Sequence, residues 1–215
     1  MRKKGLIFDL DGVLIDSERL YYQAYQEVLQ GFGVHVTREE YEEYWIARGI
    51  GPEYIVKKYG LAVRPAELRK LRSPIFLNLL KKYGALMPYV CEALRGLEGL
   101  FSMTVATNSN REHLDFVLER FGIGIFFPRT VAREDYEKAK PEPDAFLAAA
   151  ETLGLPPEEC LVIEDTYRGV TAAFRAGIPC IAVPNDYTRN NDFRRARLVL
   201  KSLAELTPTV VRDLT

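Results

Sequence analysis

Gly5-Leu6-Ile7-Phe8-Asp9-Leu10-Asp11-Gly12-Val13 is a short apolar run that ends on two carboxylates and a glycine. Such a run, bounded by turn residues, reads as a buried strand. On extended chain, residues i and i+2 point the same way, and Gly12 then lets the backbone turn, so that Asp9 and Asp11 converge on one reacting group. Phosphoryl transfer needs such a pair, one carboxylate to attack phosphorus and one to shuttle the leaving-group proton. The same residues also suit an ordinary Asp-Gly turn. What decides between the two is the company the motif keeps downstream.

Further apolar runs suited to buried parallel strands recur at Met103 to Ala106, Leu161 to Ile163, Ile181 to Val183 and Leu198 to Leu200. Helical patterns lie between them at Asn110 to Phe121, Pro143 to Leu153 and Thr166 to Ala176, with Gly122, Gly154 and Gly177 where each helix should stop. Strand and helix in alternation predict a parallel sheet covered on both faces. From about Ser17 to Tyr83 this rhythm is interrupted, because helical stretches follow one another with no strand-like run. Thr37 with Glu40 forms a capping box there, Pro52 and Pro65 suit first helical turns, and Pro74 should kink or divide the last helix. An inserted helical domain is expected between the first two strands of the sheet.

Three more polar sites fall at the carboxyl ends of apolar runs or just beyond, where ligands bind in open parallel sheets. Thr107-Asn108-Ser109 offers a hydroxyl and backbone N–H groups at a helix start, suited to anionic oxygens, although Ser109 or Asn110 could simply cap the helix. Lys140, in Lys140-Pro141-Glu142-Pro143-Asp144, is either a solvated lysine before a helix or an ammonium held in position to meet a phosphate. Glu164-Asp165 ends a buried strand; a hard divalent cation is the natural partner for such a pair, with Asp165 as a helix cap the competing reading. Acidic pair, hydroxyl, ammonium and acidic pair together make a complete kit for magnesium-assisted phosphoryl transfer.

Composition narrows the class. With 215 residues, 47% hydrophobic and 27% charged, the chain suits a soluble protein with one sizeable core, or a core plus a small inserted domain. A net charge of -1 gives no global field for nucleic acid or an anionic membrane, and the late arginines, Arg189, Arg194, Arg195 and Arg197, are interspersed with Asp186 and Asp192. Cys91, Cys160 and Cys180 are odd in number and far apart, which argues against a disulfide framework or a zinc site. No run approaches the roughly 20 apolar residues of a membrane helix, and the basic amino end is too short in apolar residues for a signal peptide. A cytoplasmic monomer or weak homodimer, with neither nucleic acid nor membrane as partner, is expected.

The motifs Asp9 to Ser17 (DLDGVLIDS), Val105 to Ser109 (VATNS), Lys140 to Asp144 (KPEPD) and Ile163 to Gly169 (IEDTYRG), in this order and spacing, resemble those of the haloacid dehalogenase superfamily, in its phosphatase branch. The resemblance implies an α/β fold, a Rossmann-like parallel sheet core at 1–16 and 84–215 with an all-helical cap domain at 17–83, similar to that of phosphoglycolate phosphatases, sugar-phosphate phosphatases and beta-phosphoglucomutases. It implies Asp9 as nucleophile and Asp11 as general acid, then base. It implies magnesium held by the Asp9 carboxylate, the Asp11 carbonyl and Asp165, with Glu164 a direct or water-mediated helper. Thr107 and the Asn108 backbone would bind phosphoryl oxygens, and Lys140 would neutralise charge and orient Asp9. Arg48-Gly49 resembles the family's substrate-reading loop, while Arg48 could equally be an exposed helix-end arginine.

The expected activity is hydrolysis of a small phosphate monoester through an aspartyl-phosphate. Mutases of the beta-phosphoglucomutase type carry a histidine in the early cap where this chain has Tyr21, and a tryptophan where it has Tyr25, which weakens a phosphotransferase reading. A non-catalytic phosphate-ligand binding module should have lost an essential group, and none is missing.

Overall fold

The structure, a computed structural model, describes residues 4–214. Among these, six strands form one sheet: β1 (Gly5–Phe8), β2 (Ser102–Ala106), β3 (Thr130–Val131), β4 (Cys160–Glu164), β5 (Cys180–Ala182) and β6 (Leu198–Val199). All neighbours are parallel, in the order β3-β2-β1-β4-β5-β6. The first strand is therefore central, and Leu6, Ile7 and Phe8 are fully buried, as a strand covered on both faces requires. The expected strands are present to within a residue or two at each end. Edge strand β3 was not expected, because two residues carry no periodicity to read.

The described residues divide into two compact units, Met1–Ile15 with Leu86–Thr215, and Asp16–Ala85. The second is all helical: α1 (Glu18–Gln30), α2 (Arg38–Tyr41), a π-helical turn at Glu42–Ala47, α3 (Gly51–Tyr59) and α4 (Pro65–Tyr83). The Thr37–Glu40 capping box starts α2, and Pro52 and Pro65 sit in the first turns of α3 and α4. Helices α1 and α4 pack together. Tyr21 stacks on Phe76 at 3.7 Å between ring centroids, and the Arg72 guanidinium lies over the Tyr21, Tyr25 and Phe76 rings.

Of the two outcomes expected at Pro74, division is not seen, and α4 runs unbroken through it. Its position is exposed, so water can take over the Lys70 carbonyl that loses its amide donor. Meanwhile Leu68, Phe76, Leu79 and Leu80 bury apolar surface on either side of it and hold the helix in one piece.

Chain entry to and exit from the helical unit run side by side. Ile15 and Leu86 pair as an antiparallel bridge, the Asp16 amide donates to the Ala85 carbonyl at 2.9 Å, and the Met87 amide to the Leu14 carbonyl at 3.0 Å.

In the sheet unit the remaining helices are α5 (Val90–Leu97), α6 (Arg111–Arg120), α7 (Asp144–Leu153), α8 (Tyr167–Arg175) and α9 (Pro208–Asp213). Phe146, Ala149 and Ala150 of α7 and Val170, Ala172 and Ala173 of α8 join Ile7, Val162 and Cys180 in one buried cluster. Small residues on both helices let them approach the sheet closely. Gly122, Gly154 and Gly177, expected at helix ends, have φ of +65°, +67° and +70°, the left-handed geometry that terminates helices. No helix among the described residues is long and apolar enough to cross a membrane.

Candidate active site

Asp9 is the residue after β1, and its amide donates to the Ile163 carbonyl at 2.9 Å, so the pairing of β1 with β4 sets where its side chain begins. Glu164 ends β4 and Asp165 follows it. The Lys140 ammonium meets Asp9 Oδ1 at 2.7 Å, Glu164 Oε1 at 3.0 Å and the Ala106 carbonyl at 3.1 Å. All three of its N–H donors are thereby used. Asp9, Lys140, Glu164 and Asp165 are all buried.

Burial alone would lower the Lys140 pKa, but the charges of Asp9 and Glu164 outweigh it and hold the ammonium above the ordinary lysine range. Burial pushes the Asp9 carboxyl up; Lys140 opposes this, Glu164 and Asp11 reinforce it, and the outcome is about 7. Asp9, Glu164 and Asp165 thus bring three carboxyl groups together in a buried place beside the Lys140 ammonium.

A divalent cation would offset their charge. One oxygen from each of Asp9, Glu164 and Asp165 lies within 4.8 Å of the others, and an all-carboxylate donor set suits a hard cation. Glu164 is the most committed of the three. Its Oε2 accepts from the Asp165 and Thr166 amides at 2.7 Å each and from the Thr166 hydroxyl at 3.0 Å, while Oε1 is held by Lys140. Asp9 and Asp165 are thus the better direct ligands.

Two glycines allow this crowding. Gly12 has φ +81°, and a Cβ there would run into the Asp165 carboxylate. At Gly169 a Cβ would overlap the Glu164 carboxylate, so only glycine lets α8 start this close to the strand end.

Thr107, directly after β2, is buried, and its Oγ1 accepts from the Ser109 amide at 3.0 Å. Asn108 uses its side chain to hold neighbouring loops: Oδ1 accepts from the Lys140 amide at 3.1 Å and from the Tyr136 hydroxyl at 2.8 Å. Of the competing helix-cap readings, that of Asn110 holds and those of Ser109 and Asp165 do not. Asn110 caps α6 by accepting from the His113 amide, and Thr166 caps α8 by accepting from the Gly169 amide, so neither Ser109 nor Asp165 is spent on capping. Ser109 instead donates to Asp11 Oδ2 at 2.6 Å.

Seven of the residues singled out from sequence, Asp9, Asp11, Thr107, Asn108, Lys140, Glu164 and Asp165, belong to the sheet unit. Arg48 and Gly49 belong to the helical unit. There Arg48 ends the π-helical turn, pairs with Glu43 at 2.6 Å and lies 5.3 Å from the Tyr44 ring centroid, and Gly49 has φ +67°.

Two participants escaped the sequence reading. Asn185 donates to Asp165 Oδ2 at 2.8 Å and to the Gly12 carbonyl at 3.3 Å, which ties the last acid of the cluster to the turn after β1. Its signal was available, since Pro184-Asn185 stands just past β5 as the other sites stand past their strands. His113 is buried with Nε2 3.7 Å from Asp11 Oδ1, and nothing in the α6 pattern separates it from a core histidine.

A profile of the family described as haloacid dehalogenase-like hydrolase matches residues 3–177, which takes in Asp9, Thr107, Lys140, Glu164 and Asp165. The chain belongs to this family. Among haloacid dehalogenase-like relatives, protein CbbY of Rhodobacter capsulatus is 30% identical over 227 residues, covering 100% of both chains. Fructose-1-phosphate phosphatase YqaB of Escherichia coli is 29% identical over 187 residues, 85% of this chain and 97% of that protein. A solved structure of a CbbY mutant from Rhodobacter sphaeroides, in complex with xylulose-1,5-bisphosphate, superposes with a TM-score of 0.83 at 27% identity, covering 99% of each chain.

Proposed function

We propose that the protein is a magnesium-dependent phosphatase that hydrolyses a small phosphate monoester, a sugar phosphate or phosphoglycolate-like metabolite, through an aspartyl-phosphate. The observation that carries this reading is the buried cluster of Asp9, Glu164 and Asp165 around the Lys140 ammonium, at the carboxyl ends of the central strands.

In this reading an Asp9 carboxylate oxygen attacks phosphorus, and the leaving oxygen departs with a proton from Asp11. Asp11, now a carboxylate, takes a proton from water as that water attacks the aspartyl-phosphate, which returns Asp9 to its starting state. The Thr107 hydroxyl and the Asn108 amide bind phosphoryl oxygens, and Lys140 orients Asp9 while offsetting charge. The Asp9 and Asp165 carboxylates with the Asp11 carbonyl would hold the metal, Glu164 supporting them through Lys140 and its backbone contacts. When bound, magnesium supplies the positive charge that lets an anionic nucleophile approach an anionic phosphoryl group. Residues 16–85 act as the family's cap, with Arg48 and Gly49 reading the part of the substrate beyond the phosphate.

The relatives named for fructose-1-phosphate and solved with xylulose-1,5-bisphosphate favour phosphorylated sugars as the first compounds to try. Phosphate release should be measured over sugar monophosphates, sugar bisphosphates, phosphoglycolate and nucleotides, with acid quenching to trap phosphate on the protein. Hydrolysis of at least one small ester, with acid-stable label on the chain, is expected. No hydrolysis anywhere on that panel with magnesium present would overturn the proposal.

Arg48→Ala tests the specificity element. A lost charge-assisted hydrogen bond costs roughly 1.5 to 3 kcal/mol, so kcat/KM for the best panel substrate should fall on the order of tenfold to a hundredfold. Hydrolysis of p-nitrophenyl phosphate should change much less. Equal losses on both would assign Arg48 to folding or closure, and no loss on either would leave it the exposed helix-end arginine.

A further inference from the structure

We infer that Ser109 and His113 form a two-point clamp on the Asp11 carboxylate and act as positioning residues for its proton transfers; this rests on the reading of Asp11 as acid and base given above. Ser109 Oγ donates to Oδ2 at 2.6 Å, and His113 Nε2 stands 3.7 Å from Oδ1. One oxygen is therefore hydrogen-bonded and the other, beyond hydrogen-bond length from Nε2, packs against a buried imidazole, which limits how far the carboxylate can turn. Asp11 needs such a hold. It lies beyond the end of β1, where Gly12 turns the chain; a bridge to Ile15 holds its backbone, and its side chain has no strand neighbour to fix it.

Both clamp residues come from the segment that carries Thr107. The Ser109 amide donates to Thr107 Oγ1 at 3.0 Å, and the Asn110 side chain accepts from the His113 amide at 3.0 Å, which seats the imidazole in the first turn of α6. The acid is thus referenced to the loop proposed to bind the phosphoryl group rather than to the strand that bears it. A proton donor works only within hydrogen-bond reach of the departing oxygen, and a misplacement of about 1 Å costs on the order of a hundredfold. Thr107 and the clamp share one short segment, so a movement of that segment carries phosphate site and proton donor together.

The test is single-turnover phosphoenzyme formation by the magnesium-loaded protein, followed by acid quench, for His113→Asn, Ser109→Ala, Asp11→Asn and the two double variants. Each is compared on an alkyl phosphate from the panel and on p-nitrophenyl phosphate, whose leaving group needs no proton, after a cooperative thermal melt has established folding. The clamp predicts that His113→Asn and Ser109→Ala each slow the alkyl ester on the order of tenfold, with p-nitrophenyl phosphate little affected and KM unchanged. In the Asp11→Asn background neither should add a further loss. A similar loss on both esters, or an undiminished loss in the Asp11→Asn background, would overturn the clamp, because the residues would then act on packing or on the phosphate. Failure of both single variants to fold would also overturn it. An Asp11→Asn protein that forms phosphoenzyme from the alkyl ester at the wild-type rate would instead remove the reading of Asp11 as the acid.

Discussion

Asp9→Asn is expected to abolish turnover, by about 10,000-fold or more in kcat, while the protein stays folded. The amide keeps the size of the carboxylate and an oxygen for the Lys140 ammonium but has no anionic oxygen to attack phosphorus. Folding should not suffer, because Glu164 remains at 3.0 Å from the same ammonium. Metal-free stability should even rise, with a definite dependence on pH. The folded-state pKa of Asp9 is about 7 against an ordinary 3.8, so the folded wild type holds a proton that the unfolded chain has lost. That penalty is absent below the ordinary value, grows as pH rises through the interval, and is complete above about 7. Melting temperatures of the two metal-free proteins should therefore coincide near pH 4 and separate by pH 8, with Asp9→Asn the higher. Near-native turnover by a folded Asp9→Asn protein would exclude Asp9 as the nucleophile.

Removal of divalent cations should have the other large effect. Chelation is expected to stop phosphate release, and added magnesium to restore it. Asp165→Ala should abolish activity or raise the magnesium requirement by on the order of a hundredfold or more, since it deletes a ligand that Asn185 otherwise holds at 2.8 Å. Affinity for the metal should itself depend on pH. Because burial, reinforced by Glu164 and Asp11, lifts the metal-free Asp9 carboxyl to about 7 against the pull of Lys140, binding below that pH must displace a proton. Apparent affinity should then weaken by up to about tenfold for each pH unit below 7 and level off above it. Titration calorimetry in buffers of different ionisation enthalpy would register the released proton. Full activity after rigorous chelation, or an affinity independent of pH, would remove the cation from this cluster.

Most of the parts of the site that could be read from sequence share one property: each follows an apolar run. Asp9, Thr107 and Glu164-Asp165 stand where β1, β2 and β4 end, and a buried parallel strand is among the plainest signals a chain carries. Lys140 was legible for a different reason, the prolines on both sides of Glu142. Asn185 stands just past β5 and carries the same mark, but its contact with Asp165 depends on the side-by-side pairing of β4 and β5, and pairing is a property of the folded sheet. His113 was hidden for a similar reason. Only the approach of α6 to the turn after β1 brings it near Asp11, across a sequence gap with no local mark. Strand β3 was too short to see, and the continuity of α4 through Pro74 is decided by exposure and neighbouring burial, which propensity alone does not report.

The paired entry and exit of the helical unit has a consequence for how such a chain can diversify. With Ile15 bridged to Leu86 and Asp16 to Ala85, the sheet unit is closed at that point by its own ribbon, whatever length of chain lies outside it. The entropy of closing a loop grows only with the logarithm of its length, and here the ends are already fastened. Mutations, insertions or wholesale replacement between 16 and 85 can therefore change the helical unit without shifting the register of a single strand. If residues 16–85 serve as the cap proposed above, scaffold and selector are separable loci, joined by two adjacent hydrogen-bonded stretches of chain, and selection can act on one while the other stands still.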